Sequence, residues 1–172
     1  MTAFIALLRA VNVGGTGKLP MTDLKAICDA EGYSQVQTYI ASGNVVFVSK
    51  DNPERIKLAL EDRLKIYAGK PVGVVVRTAK EMAAVLAGNP FPKAAPKRTV
   101  AVFLDEPPTA DALADIRGRK DEELRLGTRE IYVHYGEGMG SSKLVIPAAK
   151  FGTARNMNTV AKLAELAAQL SV

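Results

Sequence analysis

One continuous apolar run constrains the fold of this chain more than any other feature of its sequence. FIALLRAVNV, Phe4 to Val13, is apolar at both alternating sets of positions, so a strand formed from it has two faces that need cover. Such a strand belongs in the interior of a sheet. Arg9 interrupts the run, and because a buried unpaired charge is costly, its side chain must reach a carboxylate, a ligand or the surface.

The segments that follow alternate between helical and strand patterns. Apolar residues at helical spacing predict helices over 22–31 and from Pro53 to about Ala68. Short β-rich runs predict strands at VQTYI and NVVFVS, on either side of an Ala-Ser-Gly turn, and at VGVVVRT. The first half therefore reads βαββαβ.

The second half nearly repeats this order after a helix over 79–87 and a proline-rich connector over 89–97. TVAVFL predicts a strand, TADALADI a helix, and ELRLG and EIYVHY a strand pair, before a C-terminal helix from about 157 to 170. The sequence thus predicts an α+β protein of two ferredoxin-like, βαββα-type halves with antiparallel or mixed sheets. The expected boundaries are 1–88 for the first half and 98–172 for the second.

A glycine-rich stretch, RAVNVGGTGKLPM, follows the first strand. In a split βαβ arrangement this stretch and the Ser-Gly-Asn turn after the second strand emerge at the same edge of the sheet. Asn12, Lys18, Ser42 and Asn44 could converge there, where glycines and a helix start favour an anion. The stretch matches neither the complete phosphate-loop motif G-x-x-x-x-G-K-[ST] nor the complete dinucleotide fingerprint G-x-G-x-x-G. A purely structural turn and an anion site both stay open.

A second polar segment, GTARNMNTVAKLAEL, precedes and begins the C-terminal helix. Asn and Thr are expected there as caps, but the helix dipole disfavours an arginine. An anion bound between Arg155 and the first-turn amides would remove that conflict. We therefore predict one anion site shared by the glycine-rich loop and the RNMN segment, with Lys18 and Arg155 outside the core.

Composition limits the kinds of partner and the cell compartment that this chain is expected to have. The chain has 23 basic and 18 acidic residues and a net charge of +5, which favours anionic partners, but the charges are dispersed in a way that also fits an ordinary solvated surface. With few aromatic residues in the strands and no tryptophan, tight nucleic-acid binding is not expected. One cysteine excludes an internal disulfide, and the short apolar start predicts neither a leader nor a membrane span, which favours the cytoplasm.

Four segments resemble, in the same order, the characteristic segments of the bacterial domain-of-unknown-function family 1697: ALLRAVNVGGTGKLPM, TYIASGNVVFVS, SSKL and TARNMNTVAKLAEL. The resemblance implies an α+β protein of two ferredoxin-like halves, without an established activity, cofactor or catalytic residue. Ala10 departs from the family pattern, where a glycine is common, and Met157 stands where a tryptophan is common.

Three function classes follow. The first is a binding protein or enzyme acting on a phosphate-bearing or other anionic small molecule, the second a weak nucleic-acid-binding module, and the third a structural or interaction protein. The sequence identifies no reaction, cofactor or oligomeric state. The candidate ligand-binding residues are Arg9, Asn12, Gly14, Gly15, Lys18, Ser42, Asn44, Lys143, Arg155, Asn156, Asn158 and Thr159.

Overall fold

The computed structural model describes residues 1–12, 18–136 and 138–172. The chain divides into two compact units, Met1–Ala83 with Lys162–Val172, and Ala84–Ala161. The elements of the first unit are β1 (Thr2–Leu8), α1 (Met21–Ala30), β2 (Ser34–Thr38), β3 (Asn44–Ser49), α2 (Pro53–Ala68) and β4 (Val74–Thr78).

The sheet of the first unit has the strand order β2-β3-β1-β4, and its described pairings are antiparallel. The predicted interior position of β1 is confirmed, and β3 lies between β1 and β2 as the split βαβ arrangement requires. The strand ends at Leu8 and not at Val13 as predicted, because Ala10 and Asn12 adopt left-handed backbone conformations with φ of 54° and 56°. Arg9 therefore lies beyond the strand and is exposed.

The core of the first unit lies on the sheet face covered by α1 and α2. Leu24 and Cys28 of α1 and Leu60 of α2 are fully buried there, and the ring of Tyr33 stacks on that of Phe47 at 4.5 Å. Burial raises the pKa of Cys28 to about 12, so the thiol is protonated at neutral pH and serves as a core residue.

A bulge in β2 holds the C-terminal tail. Gln35 has a φ of 53° where the pairing of β2 with β3 shifts. Its side-chain amide donates to the Ser171 carbonyl at 2.8 Å and accepts from the Ser171 N–H at 3.1 Å. The last residues of the chain are thereby fixed to the edge of the first sheet.

The second sheet repeats the strand order of the first. Helix α3 (Ala79–Ala87) precedes β5 (Thr99–Phe103), β6 (Glu123–Leu126), β7 (Glu130–His134), β8 (Thr153–Asn156) and α4 (Met157–Ala168). The order is β6-β7-β5-β8 with antiparallel pairings, so β5 takes the interior place that β1 has in the first unit. The predicted α+β class with two sheets is confirmed.

One prediction about the second half is wrong, and one strand was not predicted. TADALADI forms consecutive turns, with Ala112 N–H donating to Thr109 O and Ala114 N–H to Asp111 O, because eight residues with few large apolar side chains do not sustain a helix alone. The TARN segment precedes the last helix as predicted, and α4 begins at Met157, but TARN forms the strand β8, which was not predicted. In the described part of the chain no helix is long and apolar enough to cross a membrane.

Candidate functional site

The side chain of Asn12 joins the described residues on either side of the glycine-rich stretch. Its Nδ2 donates to the carbonyls of Leu19 and Ala41, both at 2.8 Å, and its Oδ1 accepts from the Leu19 N–H at 2.7 Å. The amide thus pairs with both backbone groups of Leu19, as a neighbouring strand would, and also joins the loop to the turn before β3. Both Nδ2 hydrogens are used within the protein.

The Ser-Gly-Asn turn is fixed in a similar way. Asn44 is fully buried and donates from Nδ2 to Tyr39 O and to Ser42 Oγ, each at 2.9 Å. Gly43 has a φ of +88°, and a Cβ there would lie 2.7 Å from Val11 Cγ2 and 2.8 Å from the Cβ of the last residue of β1. The predicted meeting of the two segments at one edge of the sheet is confirmed, and it depends on this close approach.

Ala10, at the position where the family resemblance implies a glycine, has a left-handed backbone conformation with a φ of 54°. A Cβ in this conformation is strained, whereas glycine adopts it freely. The glycine that the resemblance implies at this position would adopt the conformation without strain.

We expect Ala10→Gly to raise the free energy of unfolding by about 0.5 kcal/mol. Relief of the left-handed conformation gains about 1–2 kcal/mol, and the added freedom of the unfolded chain offsets about 0.4–1 kcal/mol of that gain. Urea denaturation followed by circular dichroism measures the difference. Ala41→Gly, in the neighbouring turn and without a positive φ, should lower stability; equal effects of the two changes would contradict the explanation.

Two exposed cations flank the loop, Arg9 and Lys18. The Arg9 N–H donates to Gly73 O at 2.9 Å, which ties the loop to β4. Lys18 lines a cavity of about 20 Å³ together with Lys70 and several apolar residues. This volume holds little more than one water molecule. Gly14 and Gly15 of the predicted site lie outside the described residues.

The RNMN segment differs from its prediction. Arg155 is only 7% exposed and lies in β8, where it donates to Thr153 Oγ1 at 2.7 Å and Ala154 O at 2.9 Å. Burial lowers the pKa of Arg155, and the guanidinium stays charged at neutral pH. The prediction that Arg155 lies outside the core is wrong.

The remaining polar residues of that segment have ordinary helix-start environments. Asn156 Oδ1 accepts from the Thr159 N–H at 3.0 Å, which is the cap expected from the sequence. Asn158 is exposed and Thr159 is buried. Residues 155–159 span strand and helix at one corner of the second sheet, and their contribution to ligand binding stays a prediction.

Lys143 is the one predicted site residue not yet described. It lies in the loop between β7 and β8. It is exposed and lines a second cavity with Lys120, Glu122 and Ser142. Ser142 Oγ donates to Glu122 and the Lys120 N–H donates to the same carboxylate, which together lower the pKa of Glu122. Lys120 and Glu122 were not predicted as site residues, and the charged run RGRKDEE is the one sequence feature that could have indicated them.

The comparisons with known proteins place these observations in a family. The model of a protein of unknown function, DUF1697, matches residues 1–132. The chain belongs to this family. The DUF1697 match includes the interlocked loops around Asn12 and Asn44 and ends before Lys143 and Arg155, so the likeness of the last two segments stays a resemblance.

A solved structure shows the same fold. A conserved bacterial protein from Streptococcus pneumoniae has a TM-score of 0.79 and 24% identity, over 96% of this chain and 98% of that one. At this identity the likeness concerns the fold alone. None of the curated proteins matches this DUF1697 chain.

Proposed function

We propose that this DUF1697 protein binds a small molecule with a phosphate or other anionic group at the glycine-rich edge of its first unit. The observation that carries the proposal is that two exposed lysines, Lys18 and Lys70, line one cavity. Neither has a hydrogen bond or ion pair in the described part of the chain, and none of the described lining residues is acidic. Two uncompensated ammonium groups at one place attract an anion.

The scaffold around these lysines supports the proposal. Asn12 fixes Leu19, the residue after Lys18, through two hydrogen bonds, so the start of the lysine side chain is held in place before a ligand arrives. Such preorganisation reduces the ordering cost of binding. Because the cavity itself is too small for a phosphate-bearing molecule, the ligand binds across its mouth.

A thermal-shift panel of nucleotides, sugar phosphates and inorganic phosphate tests the proposal. A ligand at a hundredfold excess over its Kd raises the free energy of unfolding by about 2.7 kcal/mol, which is visible as a higher Tm. Lys18→Ala and Lys70→Ala should each reduce that rise and leave the unliganded protein folded, because both side chains are exposed.

Lys50→Ala provides the matched control, since Lys50 is an exposed lysine of the same unit that does not line the cavity. An equal loss with this variant would show general attraction to a basic surface. A panel without any stabilising compound, or a stabilising compound insensitive to Lys18→Ala and Lys70→Ala, would refute the site.

A structural or interaction role is the second candidate, and one observation favours it. The characteristic polar side chains Asn12, Asn44 and Asn156 all hydrogen-bond to the protein's own backbone. Their occurrence in the chain is then explained by folding alone. This candidate predicts that the whole ligand panel leaves Tm unchanged.

A further inference from the structure

The second unit contains a cavity that is larger and more polar than the one lined by Lys18 and Lys70. Its volume is about 250 Å³, and two short polar segments, residues 120–122 and 141–143, form most of its wall. All of its described lining residues belong to the second unit. It is therefore distinct from the edge formed by Lys18 and Lys70.

Backbone pairing and one buried carboxylate hold the two segments together. Arg117 and Val145 exchange both backbone hydrogen bonds, at 2.9 and 2.7 Å. Gly118 follows with a φ of +70°, and a Cβ there would lie 2.1 Å from the Lys143 carbonyl oxygen. Glu122, only 2% exposed, connects the segments by accepting from the Lys120 N–H and from Ser142 Oγ. The cavity wall is thus a built structure and not a chance gap between loops.

Some polar groups of this wall hydrogen-bond within the protein, and others do not. The Glu122 carboxylate and the Ser142 hydroxyl hydrogen-bond to each other, and each also accepts a hydrogen bond from a backbone N–H. The side chains of Lys120, Lys143 and Asp121 have no hydrogen bond or ion pair elsewhere in the described ranges. The cavity therefore offers two ammonium groups and one carboxylate to a ligand.

We propose that this cavity binds a small zwitterionic metabolite, with its phosphate or carboxylate group between Lys120 and Lys143 and its ammonium group against Asp121. Ammonium groups bind such oxyanions through short, charge-assisted hydrogen bonds. The volume lies below the range of roughly 300–1,000 Å³ typical of pockets for drug-sized ligands, so the ligand is smaller than a nucleotide. This site goes beyond the anion-binding edge proposed above and shares none of its residues.

Titration calorimetry of the full chain with O-phosphoethanolamine and with inorganic phosphate tests this inference. Both should bind saturably, and O-phosphoethanolamine should bind more tightly because its ammonium group adds the contact with Asp121. Lys120→Ala and Lys143→Ala should each weaken binding of both compounds about tenfold, the usual effect of one charged hydrogen bond. Asp121→Asn should reduce the affinity for O-phosphoethanolamine to that for phosphate.

Lys97→Ala is the control, because Lys97 is an exposed lysine of the same unit outside the cavity wall. Absence of saturable binding overturns the inference, as does an equal loss with Lys97→Ala. Binding that is abolished by Lys18→Ala and unaffected by Lys143→Ala also overturns it, while supporting the site on the first unit.

Discussion

Gly43→Ala should lower the free energy of unfolding by about 3 kcal/mol. With a φ of +88°, Gly43 has a conformation in which a Cβ costs about 1–2 kcal/mol. The added methyl group would also overlap Val11 Cγ2 at 2.7 Å and Leu8 Cβ at 2.8 Å, and overpacking of this kind typically costs about 1–3 kcal/mol. Equilibrium urea denaturation measures the loss.

Gly32→Ala separates the two contributions. Gly32 has a nearly identical φ of +83°, but nothing lies within 4 Å of a Cβ built there. This variant should show only the conformational cost, about 1–2 kcal/mol. If both variants lose the same stability, the close approach of the two loops contributes nothing.

Asn12→Asp should lower the free energy of unfolding by about 3 kcal/mol at neutral pH. The substitution keeps the shape of the side chain but removes both donors, so a carboxylate oxygen faces the carbonyls of Leu19 and Ala41 at hydrogen-bond distance. Two lost hydrogen bonds cost about 1 kcal/mol each, and the repulsion adds at least as much as one of them.

The pH dependence of this variant provides an independent check. The two carbonyls disfavour the charged form, so in the folded protein the pKa of the new carboxyl lies above its ordinary value of about 3.9. Protonation restores one donor, so the stability deficit relative to the parent protein should shrink as the pH falls through this raised pKa and be smallest below about pH 4. Asn158→Asp is the control, because Asn158 is exposed in the first turn of α4, where a negative charge is neutral or slightly stabilising. A pH-independent deficit for Asn12→Asp would contradict the proposed geometry.

The parts of the fold that the sequence predicted well are those with local signals. Helix α2 begins at Pro53 after the capping residue Asn52 and ends before Gly69, which has a φ of 72°, and each of these residues favours its position independently of the rest of the fold. The strands β3 and β7 are apolar runs bounded by turns. Sequence periodicity is sufficient for such elements.

The parts that failed depend on residues distant in sequence. β1 ends at Leu8 because Ala10 and Asn12 have left-handed conformations. The contacts that hold Asn12 there are with Leu19 and Ala41, outside the apolar run, so the run itself does not predict them. The burial of Arg155 follows from β8, whose four residues are too short for a readable alternation.

The candidate site was likewise predictable only where its residues lie close together in sequence. Both asparagine-containing loops and Lys18 were identified from glycines and polar residues near strand ends. Lys70 was missed because it follows α2, far from the glycine-rich loop in sequence, and only the fold brings it to the cavity lined by Lys18.

The attachment of the C-terminal tail to Gln35 joins two parts of the first unit that are synthesised at different times. The first unit includes Lys162–Val172 in addition to Met1–Ala83, so a ribosome releases its two parts at different times. At roughly 5–20 residues per second, the intervening ~80 residues take about 4 to 16 s to synthesise. During that interval the nascent chain has the strands of the first sheet but not Lys162–Val172, and all residues of the second unit are synthesised before that segment.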